Sequence, residues 1–314
     1  MAFQKVACIG GGLIGHGWAT LFAWRGCSVN LHRRNEDTLA PTLDRIRANL
    51  EFLAQNGLLK AEEVEAKVQG IKATTDLEEA VSGCDYVQAS VLERLSVKAE
   101  LFGKLDRLTP PSTILASSTS TLAMTDIARE TQRPERCIVA HPWNPPYLVP
   151  LVELIPGEKT ASATIEETRK FMERLGKMPV VQKKEAVGSI GNRITAAIWR
   201  EAINIVLEGI AGPEEMDKAI TAGPGFRLAV LGTFLTYHLG GGEGGIASYL
   251  EHIGPTMAER WKTLGTFTSL SEEDKEKLVS LVERMEPVRT MPMEELVKWR
   301  DGRLAALLKA RGFI

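Results

Sequence analysis

Residues 5–15 read Lys-Val-Ala-Cys-Ile-Gly-Gly-Gly-Leu-Ile-Gly. The apolar run Lys5–Ile9 has the composition of a short β-strand, and three glycines end it. Over residues 13–25 the apolar side chains Leu13, Trp18, Leu21 and Phe22 recur at helical spacing, so a helix follows the glycines directly. Gly10, Gly12 and Gly15 fit G-x-G-x-x-G in a strand–turn–helix setting. Gly10 permits the tight turn, Gly12 lets the backbone approach a pyrophosphate, and Gly15 allows close helix–strand packing. The helix N-terminus, at Leu13 and Ile14, offers N–H groups and a positive dipole end to the phosphates. The plainer alternative is a structural glycine turn. The setting favours a dinucleotide-binding unit at the head of the chain.

Outward from this loop, further short apolar runs occupy Ser28–His32 and residues 86–91, 113–117, 137–140, 151–155 and 178–182. Between them lie periodic segments: two helices over 36–69, split near Asn56-Gly57, and others near 97–108, 122–130 and 163–175. Strands alternating with helices predict a Rossmann-type, doubly wound, mostly parallel α/β sheet. From Gly188 the pattern changes. A long amphipathic helix covers 194–210, Gly/Pro punctuation follows, and no strand-like alternation appears. The expected division is a dinucleotide-binding domain over 1–186 and an all-helical substrate and dimerisation domain over 187–314.

The bulk numbers agree. A chain of 314 residues holds about two domains. With 44% hydrophobic and 25% charged residues, each can bury a core. A net charge of −2 argues against nucleic acid as partner. No uncharged apolar run approaches the ~18 residues of a membrane span. The start, Met-Ala-Phe-Gln-Lys, leads straight into a strand without a signal-peptide pattern, so a cytoplasmic location is expected. Cys8, Cys27, Cys84 and Cys137 form no C-x-x-C pair and read as buried reduced thiols. No metal site is expected.

Cofactor choice turns on the end of the second strand. About twenty residues past such a loop an acid usually binds the ribose 2′-hydroxyl of NAD. Here Arg33 stands at that place, followed by Arg34. A guanidinium suits a 2′-phosphate, so within NAD(P) the local chemistry favours NADP. The alternative is a solvated basic turn with Glu36 or Asp37 reaching the ribose.

The catalytic candidates cluster later. Residues 137–155 contain an apolar run ending in His141, a proline-rich bend, and a second apolar run with Glu153 in its middle. A carboxylate inside an apolar strand needs a partner, and an imidazole held by a carboxylate is a general base. Ser120 follows the strand before His141, so both should lie on the C-terminal rim of the sheet, where ligands bind in such folds. Asn192, at the start of the long helix, is a neutral donor for the reacting oxygen. Separately, each residue has a plain structural reading: a core histidine, a helix-capping serine, a packing asparagine. Together with Glu153 they make a site.

These residues and their neighbours resemble the 3-hydroxyacyl-CoA dehydrogenase family over essentially the full chain. The similarity rests on the glycine loop, residues 92–98 (Leu-Glu-Arg-Leu-Ser-Val-Lys), 117–122, His141-Pro142-Trp143-Asn144-Pro145, Leu151-Val152-Glu153 and Asn192-Arg193, and on the spacings from Ser120 to His141 to Glu153. The resemblance implies that His141 takes the hydroxyl proton, Glu153 orients it, and Ser120 and Asn192 bond the reacting oxygen. It further places Glu93, with Lys98 in the same motif, at the cofactor, and implies a homodimer. Three departures stand out: Val187-Gly188-Ser189 replaces Pro-Gly-Phe, Gly191 directly precedes Asn192, and Arg94 replaces Asn.

Residues 223–245, beginning Gly-Pro-Gly-Phe-Arg-Leu, differ from the thioester enzymes and are similar to the branch of carnitine and gulonate dehydrogenases, whose substrates are small free 3-hydroxy acids. Arg227 suits a free carboxylate as a bidentate clamp; a surface salt bridge is an equal reading. Trp143, Tyr147, Phe234 and Tyr237 could line a pocket for a quaternary ammonium, or belong to the core. The expected activity is hydride transfer between NAD(P) and the 3-hydroxyl of a small 3-hydroxy acid. The alternatives are a thioester dehydrogenase, with Arg45, Arg47, Lys60 and Lys67 near a CoA groove (equally an exposed charged face), and a crystallin-like binding protein without turnover.

Overall fold

A computed structural model of the chain describes residues 3–313. Eight strands form one sheet: β1 (Lys5–Ile9), β2 (Ser28–His32), β3 (Ile71–Thr74), β4 (Tyr86–Ala89), β5 (Ile114–Ser117), β6 (Cys137–Pro142), β7 (Leu151–Pro156) and β8 (Met178–Val181), in the order β3-β2-β1-β4-β5-β6-β7-β8. All neighbours pair parallel except β6 with β7. The expected doubly wound, mostly parallel α/β sheet is what forms. The antiparallel pair has a simple cause: only residues 143–150 join β6 to β7, too few for the crossover that a parallel pair needs.

Strand side chains alternate between two buried faces, which is why these strands read as continuous apolar runs. Val6 and Cys8 of β1 join one core with Trp18, Phe22, Leu31, Tyr86 and Phe171. Ala7 and Ile9 join the other with Val87, Phe102, Leu105 and Val139. The helix α1 (Leu13–Trp24) buries Trp18 and Phe22 against the first core, and α2 (Leu39–Gln55) adds Ile46 and Leu50. The four cysteines are free, and burial pushes the Cys27 and Cys84 thiols up to about 11.

Two differences from the sequence reading concern the edges. Strand β3 was not expected: Ile71-Lys72-Ala73-Thr74 buries only Ile71, as a short edge strand does. The chain divides into a first unit, Met1–Asn192 with Asp301–Ile314, and a second, Arg193–Arg300. The expected split assigned all of 187–314 to the second. The C-terminal stretch instead belongs to the first because Ala305 and Leu308 are buried in its core. The second unit contains helices and no strand. It leaves Phe226, Val230, Phe234, Leu239 and Trp261 exposed. Among the described residues no single helix is long and apolar enough to cross a membrane.

Candidate active site

The glycine loop separates what the fold needs from what a ligand needs. Gly10 has φ +100°, and a Cβ there would lie 2.5 Å from the Ser90 carbonyl oxygen. At Gly15 a Cβ would lie 1.9 Å from the carbonyl oxygen of Gly10. Both positions are fixed by packing. At Gly12 a Cβ would meet nothing within 4 Å. Gly12 instead borders a cavity of about 720 Å³ and is the N-cap of α1, where no side chain caps the helix and no acid sits in the first turn. The first N–H groups of a helix, here those of Leu13 and Ile14, lack intrahelical acceptors. An open cradle at a bare helix N-terminus fits a dinucleotide pyrophosphate.

Arg33, Arg34, Asn35 and Thr38 line the same cavity, together with Leu92, Val97 and Leu101. Arg33 Nε donates to Thr38 Oγ1 at 3.0 Å. Gly11 makes room for this arginine, since a Cβ there would stand 2.7 Å from Arg33 Cδ. Glu36 and Asp37 are absent from the wall. The one acid on it, among the described residues, is Glu100, whose carboxylate is paired with Lys104 at 2.7 Å.

His141 and Glu153 face each other in register across β6 and β7. His141 Nδ1 lies 3.1 Å from Glu153 Oε2, and both side chains are buried. The carboxylate has three further donors: Trp143 Nε1 at 3.1 Å and Ser189 Oγ at 2.6 Å on Oε2, and the Gly191 N–H at 2.7 Å on Oε1. Burial alone would raise the Glu153 pKa. The bonds from His141, Gly191, Ser189 and Trp143 outweigh it and hold the group at about 2, so it is an anion at neutral pH. An anion that only accepts assigns the proton on Nδ1 to His141 and leaves Nε2 with its lone pair. No hydrogen bond to Nε2 is present among the described residues. This is the geometry of an oriented base.

Glu93 holds the serine loop. Its Oε1 accepts from the Ser120 N–H at 3.0 Å, the Thr121 N–H at 3.3 Å and the hydroxyls of Thr119 and Thr121, while Oε2 pairs with Lys98 at 3.1 Å. Burial would raise the Glu93 pKa, but the Thr119 bond and Lys98 bring it below the usual value. Lys98 is buried and also donates to the Val91 carbonyl. Ser120 stays exposed, and Asn192 Nδ2 approaches its carbonyl oxygen at 3.4 Å.

Thus the chain brings His141 to Glu153, and Ser120 to Glu93 and Asn192. Tyr147 is core: it is buried, and its hydroxyl donates to Asn49 at 3.1 Å. Arg227 is exposed on the helix Pro224–Leu228, and Tyr237 packs on Tyr249, both within the second unit. Sequence reasoning missed the grip of Ser189, Gly191 and Trp143 on Glu153. For Ser189 and Gly191 the signal was their departure from the expected pattern, and for Trp143 its place beside His141 in the matching motif; neither says what the residue touches. Among the described residues, no group of three His, Cys, Asp or Glu side chains could hold a metal ion.

Residues 5–186 match the family described as 3-hydroxyacyl-CoA dehydrogenase, NAD binding domain, and residues 188–278 match 3-hydroxyacyl-CoA dehydrogenase, C-terminal domain. The chain is 39% identical over 311 residues to L-carnitine dehydrogenase of Streptomyces coelicolor, covering 98% of this chain and 95% of that one. Among solved structures it is similar to 5-formyl-3-hydroxy-2-methylpyridine 4-carboxylic acid 5-dehydrogenase, an NAD+-dependent dismutase, with TM-score 0.84 and 27% identity over 99% of both chains. It is also similar to 3-hydroxybutyryl-CoA dehydrogenase of Escherichia coli, with TM-score 0.67 and 32% identity, covering 81% of this chain and 53% of that one.

Proposed function

The chain belongs to the 3-hydroxyacyl-CoA dehydrogenase family, and from that premise we propose that it oxidises the 3-hydroxyl of a small free 3-hydroxy acid, L-carnitine or a close analogue, with His141 as the base. It is a dehydrogenase with an NAD-type cofactor. The observation that carries the mechanism is the buried His141–Glu153 pair with Nε2 unengaged. His141 Nε2 accepts the hydroxyl proton, and the Glu153 anion stabilises the imidazolium that results. Ser120 and Asn192 hold the alcohol oxygen as negative charge develops on it, without competing for the proton. Bound nicotinamide supplies the hydride acceptor. Glu93 keeps the Ser120 loop in place, and Arg227 is assigned to the substrate carboxylate.

The wall of the cofactor cavity supports a preference for NADP. It carries Arg33 and Arg34 and, among the described residues, no unpaired acid for a ribose 2′-hydroxyl. The exposed apolar side chains of the second unit support a homodimer. A cytoplasmic location remains part of this reading.

A free acid is favoured over a thioester because two of the four cations proposed for a CoA groove are engaged. Arg47 pairs with Asp44 at 3.1 Å and Glu65 at 3.3 Å, and Lys67 donates to the carbonyls of Ala23 and Trp24. The likeness to 3-hydroxybutyryl-CoA dehydrogenase keeps the thioester as the second reading. Steady-state assays with carnitine, gulonate, 3-hydroxybutyrate and 3-hydroxybutyryl-CoA, each with NAD and NADP, separate them. Turnover of the free acids is expected. Turnover of the thioester alone would overturn the substrate class.

A further inference from the structure

Glu153 Oε2 accepts three hydrogen bonds, and only one of them comes from the base. Ser189, 1% exposed, donates at 2.6 Å, shorter than the 3.1 Å separations to His141 Nδ1 and Trp143 Nε1. It follows β8 and immediately precedes the helix Ile190–Leu207. The next donor, the Gly191 N–H, holds the other oxygen at 2.7 Å. Gly191 cannot carry a side chain here, because a Cβ would stand 2.7 Å from Trp143 Cζ2. Segment 189–191 therefore packs against the indole and grips both carboxylate oxygens. Among the described residues its other bonding partners, Trp143, Ser189 and Gly191, carry no charge, and β8 places Val180 opposite it. Among the described residues, His141 is the only titratable side chain bonded to it.

We propose that Ser189 is a positioning residue that fixes the Glu153 carboxylate and moderates its pull on the His141 imidazolium. Hydrogen bonds to one oxygen share its negative charge, so each additional donor leaves less for the others. With the Ser189 and Trp143 donors in place, the negative charge on Oε2 is divided among three hydrogen bonds and less of it acts on the imidazolium. Without them, the same oxygen would favour the imidazolium more strongly.

The kinetic side of this inference rests on the function proposed above; the titration side does not. The test follows the His141 ring resonance against pH by NMR in the full-length protein. His141→Gln assigns it among the five histidines. In Ser189→Ala the titration midpoint is expected to rise by roughly half a unit to one unit. Trp143→Phe, which keeps a ring against Gly191 but removes the donor, should move it the same way and serves alone if Ser189→Ala fails to fold. In kinetics, the acid limb of kcat/KM should move up equally, with activity recovering at higher pH, which simple loss of packing does not produce. Midpoints that stay in place or fall would overturn the inference. A raised midpoint in a protein that turns over no 3-hydroxy acid would uphold it and defeat the proposed function.

Discussion

A carboxylate in the middle of a β-strand keeps its charge only where donors replace the lost water, and Glu153 has four. That places a pH signature on the molecule. The Glu153 pKa is lowered from 4.5 to about 2, so its contribution to stability is complete above about pH 4.5 and is lost as pH falls through about 2. The shift corresponds to at most about 3 kcal/mol. Denaturant melts at about pH 5 and about pH 3 should show Glu153→Gln losing less stability across that interval than the wild type; an equal loss would detach acid sensitivity from this group. Arg33 makes the second prediction at this scale. Arg33→Asp removes the cation on the cavity wall and should weaken NADP at least tenfold while leaving or improving NAD. Titration of both cofactors checks it, and equal effects would remove Arg33 from the 2′-phosphate.

Among the elements, the strand–loop–helix at the head of the chain carries the clearest division of labour. Gly15→Ala should cost folding, because its Cβ has no room beside Gly10. Gly12→Ala should leave the melting temperature within a few degrees and weaken the dinucleotide at least tenfold, because only the ligand approaches there. Calorimetry of the two variants reads both effects. The same contrast explains what the sequence could reveal. β1, β4, β5 and β6 are buried on both faces, so their apolar runs were plain. β3 is a half-exposed edge of four residues and left no pattern. His141 and Glu153 were legible because they lie 12 residues apart across one bend. Ser189 and Gly191 reach Glu153 from 36 and 38 residues away, and Glu93 binds the Ser120 loop from 27. Such long-range bonds leave no local periodicity.

Across the whole chain, the C-terminal stretch from Asp301 returns to the first unit. Leu308 and Ala305 lie in the core that also holds α1 and α2, and Lys309 Nζ donates to the Asn56 carbonyl at the end of α2. Leu308→Ala should therefore destabilise the first unit by about 2–3 kcal/mol in denaturant melts. A loss below about 0.5 kcal/mol would show that this packing adds little. The return was hidden in the sequence because the C-terminal residues read as part of an all-helical second domain, and burial of only one end of the helix Met293–Ala310 decides where it belongs.

The central claim is that His141, held by Glu153, takes the proton from the substrate hydroxyl. His141→Gln tests it most directly, with kcat/KM and the cofactor dissociation constant measured on the same preparation. The account predicts a fall in kcat/KM of about a thousandfold or more with cofactor affinity within about twofold of wild type. A rate within about tenfold of wild type, or a loss of cofactor binding that accounts for the whole effect, would contradict it.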